Sequence, residues 1–141
     1  MNRREILKAT AVSAALPAIA ALQAFAQTAD SATVYELREY HAAEGKLDAL
    51  LARFRDHTIT IFNRHNMHSV AYWVPTDDPL KGRTLFYILR HPSREAATAN
   101  WAAFHADPEW KQVSAASEAN GKLVEKVDST FLQLTDFSPR I

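Results

Sequence analysis

Apolar and polar positions change period several times along this chain, and each change marks a different element. Thr33 to Tyr40 is rich in β-branched and aromatic residues and alternates Tyr35 and Leu37 against Glu36 and Arg38, the period of two that predicts a strand. Leu47, Leu50, Leu51, Phe54 and Ile61 then recur at helical spacing, so a long amphipathic helix is expected from Glu44 to about Asn66. Two short apolar runs follow, Ser69 to Val74 and Thr84 to Leu89. They are separated by a proline-rich, charged segment with Gly82, and read as a strand pair with a longish loop. Ser93 is placed to cap a second helix with Glu95 in its first turn and Ala97, Trp101 and Phe104 as its apolar stripe. Asp107-Pro108 restarts the chain as a cap followed by a first-position proline, giving a third helix that carries Trp110 and Val113 and ends at Asn120-Gly121. Leu123 to Thr135 is a last strand, bent near Asp128-Ser129. The order is the βαββαβ plan of ferredoxin-like folds with one extra helical piece, an α+β class with an antiparallel sheet and helices on one face.

The first 26 residues obey different rules. Arg3, Arg4 and Lys8 make a basic start, Ala9 to Leu22 an apolar middle, and Ala24-Phe25-Ala26 a small-x-small cleavage site. The apolar run is shorter than the ~20 residues that span a bilayer and contains Pro17. The arginine pair followed by Ile6, Leu7 and Lys8 resembles the bacterial twin-arginine signal, with Asn2 in place of its hydroxyl residue and Ile6 in place of its phenylalanine. That resemblance implies a signal peptide over 1–26, twin-arginine translocation of an already folded protein and a periplasmic destination, and the length of 27–141 is that of a single small domain. The membrane is then a partner only during export.

Composition narrows the chemistry. Of 16 basic and 16 acidic residues the first 26 hold Arg3, Arg4, Lys8 and Glu5, which leaves 13 against 15, net −2, and no reason to expect nucleic acid. The absence of cysteine excludes disulfides, thiolate metal sites and cysteine nucleophiles. No Gly-x-Ser-x-Gly elbow and no phosphate loop occur. His41 and His91 are expected at the ends of adjacent, parallel first and third strands, but no third ligand is fixed by spacing, and neither His65-x-x-His68 nor His105 supplies one. No metal site, haem or other cofactor is predicted.

Several residues are candidates for a site. His57 falls on the helical stripe between Phe54 and Ile61, which should face the sheet, and a histidine there is either a buried structural imidazole or a proton acceptor. Glu36, Arg38 and Tyr40 share one face of the first strand, either as an ion pair that fixes dimer register or as an anion clamp, Arg38 with Tyr40 as donor. Tyr72, Tyr87 and Trp101, with Trp73, Phe86, Phe104 and Trp110, are first of all core material and second the lining of a pocket for a small, mainly apolar ligand.

Tyr35-Glu36-Leu37-Arg38-Glu39-Tyr40, Gly45-Lys46-Leu47, Ala71-Tyr72-Trp73, Asp107-Pro108-Glu109-Trp110 and Phe137-Ser138-Pro139 together resemble the NIPSNAP domain over nearly all of 27–141. The charged, proline-rich segment between the middle strands departs from a more glycine-containing turn. The resemblance implies a dimeric α+β barrel, in which two four-stranded sheets face each other in a homodimer with the helices outside, and it supplies no reaction. Two classes of function follow. The first is a homodimer that binds a small apolar ligand or a protein partner without turnover. The second is a small cofactor-independent enzyme, of oxygenase or isomerase type, acting on an aromatic or apolar metabolite with His57 as base and Arg38 and Tyr40 holding an oxyanion.

Overall fold

In the computed structural model the residues described are 32–141, so the segment expected as a signal peptide and its cleavage point lie outside them. The chain runs β1 (Val34–Ala42), α1 (Leu47–Arg53), a π-helical turn (Phe54–Thr58), α2 (Ile59–Arg64), β2 (His68–Trp73), β3 (Thr84–His91), α3 (Arg94–Ala106), α4 (Pro108–Ser117) and β4 (Val124–Leu132). The caps form as their residue types require. Ser93 Oγ accepts from the Ala96 amide at 3.1 Å, and Asp107 accepts from the Glu109 amide at 2.8 Å ahead of Pro108.

The four strands form one antiparallel sheet in the order β2-β3-β1-β4. The expectation that β1 and β3 run parallel is therefore corrected. The crossover through α1 and α2 returns the chain so that β2 runs with β1, and the hairpin into β3 reverses it. Val34 consequently pairs with His91 and His41 with Thr84, which sets His41 and His91 at opposite ends of the sheet.

Period two sends Glu36, Arg38 and Tyr40 of β1 and Leu85, Tyr87 and Leu89 of β3 toward the helices. There Leu50, Phe54, Ile61, Phe62, Met67, Phe104 and Leu123 close the core. The rings of Phe54 and Tyr87 lie 5.2 Å apart and those of Phe62 and Phe104 4.9 Å apart, so aromatic contacts fill this interior. On the other face Leu37, Phe86 and Ile88 are only half-buried, and Trp73, 48% exposed, stands beside Phe86 across the strand pair. No helix among the described residues is long and apolar enough to cross a membrane.

The long first helix is interrupted by its π turn. The Ile59 amide bonds to the carbonyl of Phe54, five residues back. A regular α-helix would leave the inward position after Phe54 undecided between residues 57 and 58; the wider turn gives it to Thr58, which is buried, and leaves His57 exposed. Thr58 Oγ1 donates to the Arg53 carbonyl at 3.2 Å within that turn. Thr58→Val, which keeps the shape and removes this buried hydrogen bond, is expected to cost about 1 kcal/mol in urea unfolding. An unchanged urea midpoint would show that the hydroxyl does not hold the turn.

Candidate functional site

A single buried carboxylate organises the helix-facing side of the sheet. Glu36, 2% exposed, receives four donors. Its Oε1 accepts from Arg38 Nη1 at 2.9 Å and Ser129 Oγ at 2.8 Å. Its Oε2 accepts from Trp101 Nε1 at 2.7 Å and His91 Nε2 at 3.0 Å. The last contact assigns the donor hydrogen of His91 to Nε2, since a carboxylate can only accept. Burial alone would push the Glu36 pKa up, but the bonds from His91, Trp101 and Ser129 and the charge of Arg38 outweigh it and bring the pKa down from 4.5 to about 2.

Arg38 is held between this carboxylate and aromatic rings. Its guanidinium carbon sits 4.4 Å from the Trp101 ring centroid and 5.6 Å from that of Tyr40, and its Nη2 donates to Tyr40 Oη at 3.5 Å. Burial opposes its charge, but Tyr40, Tyr87 and Glu36 more than compensate and raise its pKa above the ordinary arginine value, so it stays cationic. Tyr87 is fully buried against Tyr40 and Tyr72, with ring centroids at 5.3 and 5.5 Å. Burial first, and then the Tyr40 phenol, hold its pKa well above the usual value. Burial also raises the pKa of Tyr72, whose hydroxyl is bonded to Ser69 Oγ at 2.6 Å. Both are neutral phenols at physiological pH.

Some buried polar atoms in this cluster have no hydrogen-bond partner: Nε of Arg38, the hydroxyl of Tyr87 and Nδ1 of His91. Arg38 also borders an opening. Register places Val127 beside Tyr40 and Ser129 beside Arg38 on the helix-facing side of β4, yet Val127 is 41% exposed and Ser129 is exposed too. Farther along the same strand Phe131 is covered by the guanidinium of Arg94 at 4.3 Å. The side chain of Arg38, 16% exposed, lies beside Ser129 in the strand register.

The structure brings Glu36, Arg38, Tyr40, Tyr72, Tyr87 and Trp101 together on the helix-facing side of the sheet. It leaves out His57. The expectation that His57 faces the sheet is corrected by the π turn, which turns its imidazole outward into an open groove of about 610 Å³ lined also by Ala52, Arg53, Asp56, Gln112 and Val113. His41 pairs instead with Asp128 at 3.1 Å and His65 with Asp107 at 2.7 Å. Among the described residues no group of three or more His, Asp or Glu could hold a metal ion.

Three members of the cluster had not been singled out for it. His91 and Ser129 reach Glu36 only through strand register, which no local pattern encodes. His105 does carry a signal, because it follows Trp101 by four residues on the same helical face. Its ring stacks on Trp101 at 5.5 Å, and burial together with Arg38 lowers its pKa, so it is neutral at physiological pH.

An antiparallel four-stranded sheet with its helices packed on one face and a charged, aromatic-walled cluster beneath them defines a ferredoxin-like α+β domain. The NIPSNAP family model matches residues 35–139, and the chain belongs to the NIPSNAP family. Solved structures agree on the fold. An uncharacterized NIPSNAP-like domain protein from Burkholderia xenovorans is 18% identical with a TM-score of 0.68, over 79% of this chain and 92% of that one. A NIPSNAP family protein of unknown function from Agrobacterium tumefaciens is 24% identical with a TM-score of 0.66, over 77% and 94%. A second NIPSNAP family protein from Agrobacterium tumefaciens is 22% identical with a TM-score of 0.66, over 76% and 97%. Among curated proteins none matches this chain.

The sign of the Glu36 contribution follows from its lowered pKa. It is fully present above the unfolded-state value of 4.5 and disappears as pH falls toward about 2, a loss of at most about 3 kcal/mol. In Glu36→Gln this component is absent, so the wild type should lose more thermal stability than the variant between pH 4.5 and 2. Parallel melting curves across that window would refute the assignment.

Proposed function

We propose that this is an exported, homodimeric NIPSNAP-domain protein that binds a small, largely apolar ligand without turning it over, and that the ligand enters over Val127 and Ser129 to reach Arg38. The observation that carries the reading is the gap in the helix layer, which leaves a permanently cationic, carboxylate-anchored guanidinium at the boundary between aromatic core and solvent. Dimer formation is supported by the sheet face opposite the helices, where Leu37, Phe86, Ile88 and the exposed Trp73 offer an apolar surface too small a domain can rarely leave uncovered. Export is supported by the basic, apolar and small-residue order of 1–26.

The enzymatic reading with His57 as base loses its geometric support. His57 lies in the outer groove, whereas Arg38 and Tyr40 point to the inner side of the helix layer. His57 is exposed, and the rings of Phe54, Phe62 and Tyr87 pack the interior beneath its turn.

Two measurements test this reading. Light scattering on the purified protein at micromolar concentration should report a dimer, and a monomer would remove that part of it. Native mass spectrometry of protein recovered from the periplasm should show a mature chain beginning at Gln27 with a small molecule bound. Val127→Trp, at an exposed strand position, should fold normally yet lose that molecule. A wild type without any bound species, or a Val127→Trp variant that keeps it, would count against the entry route.

A further inference from the structure

Apart from Nδ1 of His91, on the far side of Glu36, the unmet hydrogen-bonding groups around Arg38 are unbalanced in one direction. The two oxygens of Glu36 accept two donors each, which uses up the capacity of the carboxylate. What remains is a surplus of donors. Nε–H of Arg38 is buried without a partner, and the buried hydroxyl of Tyr87 has none within 3.5 Å, interacting only at longer range with Tyr40 and Arg38. Tyr40 Oη accepts from Arg38, so its own hydrogen is also directed elsewhere. These groups lie together, since Arg38 and Tyr87 occupy facing positions on β1 and β3 and the Tyr40 ring touches the Tyr87 ring. The carboxylate is capped on all sides, so a second negative charge would meet donors rather than a bare anion.

We infer that the Arg38 site takes an anionic oxygen, and that its ligand is a small aromatic carboxylic acid whose carboxylate is held by Arg38, Tyr40 and Tyr87 while its ring lies among Val127, Trp101 and Tyr40. The inference rests on the proposed ligand-binding function and names the chemical class of that ligand. The chemistry favours a carboxylate over a neutral amide or alcohol for a physical reason. Converging donors, one of them a guanidinium, are matched by a group that only accepts and carries charge, whereas an amide brings two further donors of its own into a site already rich in them. Aromatic walls suit a planar, apolar body. The neutral imidazole of His105 beside Trp101 adds no competing cation at the rim.

The test uses the full chain and three fluorinated probes, 4-fluorobenzoate, 4-fluorobenzamide and 4-fluorotoluene, followed by ¹⁹F NMR line broadening and competition. The benzoate should bind saturably and the amide at least about ten-fold more weakly, as expected for loss of charge-assisted hydrogen bonds. Tyr87→Phe removes a hydroxyl that makes no hydrogen bond within 3.5 Å in the fold, so the variant should melt close to the wild type. It should nevertheless bind the benzoate about ten-fold more weakly, with the toluene unaffected. Equal affinity for acid and amide, or indifference of the benzoate to Tyr87→Phe, overturns the anionic assignment and leaves ligand binding standing. If none of the three probes binds while native protein still carries a bound molecule, this inference alone fails; if native protein carries none either, the proposed function fails with it.

Discussion

The bonds to the Glu36 carboxylate are the constraint on which the arrangement depends. They join β1 to β3 through His91, to β4 through Ser129, and to the helix layer through Trp101, while Arg38 on the same strand supplies the balancing charge. An ion this far from water is costly unless every lone pair is met, and here all are. Removing one donor leaves the others in place. Removing the carboxylate leaves a guanidinium, an indole and an imidazole without their common acceptor at once. The sheet's register, the docking of α3 through Trp101 and the position of Arg38 are therefore one structural fact rather than three.

A second constraint acts on the helix that covers the sheet. Phe54 touches rings on three strands, Tyr40 of β1, Tyr72 of β2 and Tyr87 of β3. Keeping it there while also sending Ile61 and Phe62 inward takes an accommodation of phase between the two halves of the helix, and the π turn provides it. The consequence for chemistry is large, because the turn moves the one histidine of this helix out of the interior and puts a threonine in its place.

How much of this was readable from the residues alone differs by scale. Period two on β1 was enough to place Glu36, Arg38 and Tyr40 on one face, and the cap residues Ser93 and Asp107 marked helix starts that the structure reproduces. The antiparallel ferredoxin-like sheet followed from the order of elements, although the relative direction of β1 and β3 was misread, since direction depends on the crossover and hairpin taken together. The side on which His57 lies was not readable, because 3.6 residues per turn puts the next inward position after Phe54 between 57 and 58, and only the hydrogen bonding of the turn decides. Ser129 and His91 join Glu36 through long-range register, so the network's completeness, and with it the surplus of donors, was invisible to any local pattern.

The position of the site follows from where the helix layer stops. Aromatic contacts from Phe54 cover β1, β2 and β3, and on β4 Phe131 is sheltered by Arg94, but Val127 and Ser129 are not. Arg38 sits on β1 directly beside the uncovered stretch. One edge of its guanidinium is thereby anchored in a dry environment, where the carboxylate fixes its orientation, while the side chain reaches the solvent boundary. A cation so placed has already lost most of its hydration in folding, so binding an anion there requires less further desolvation than at a surface arginine. Orientation by Glu36 and exposure on β4 are separate features. Their coincidence at one side chain is what makes Arg38, rather than the histidine of the first helix, the centre of the candidate site.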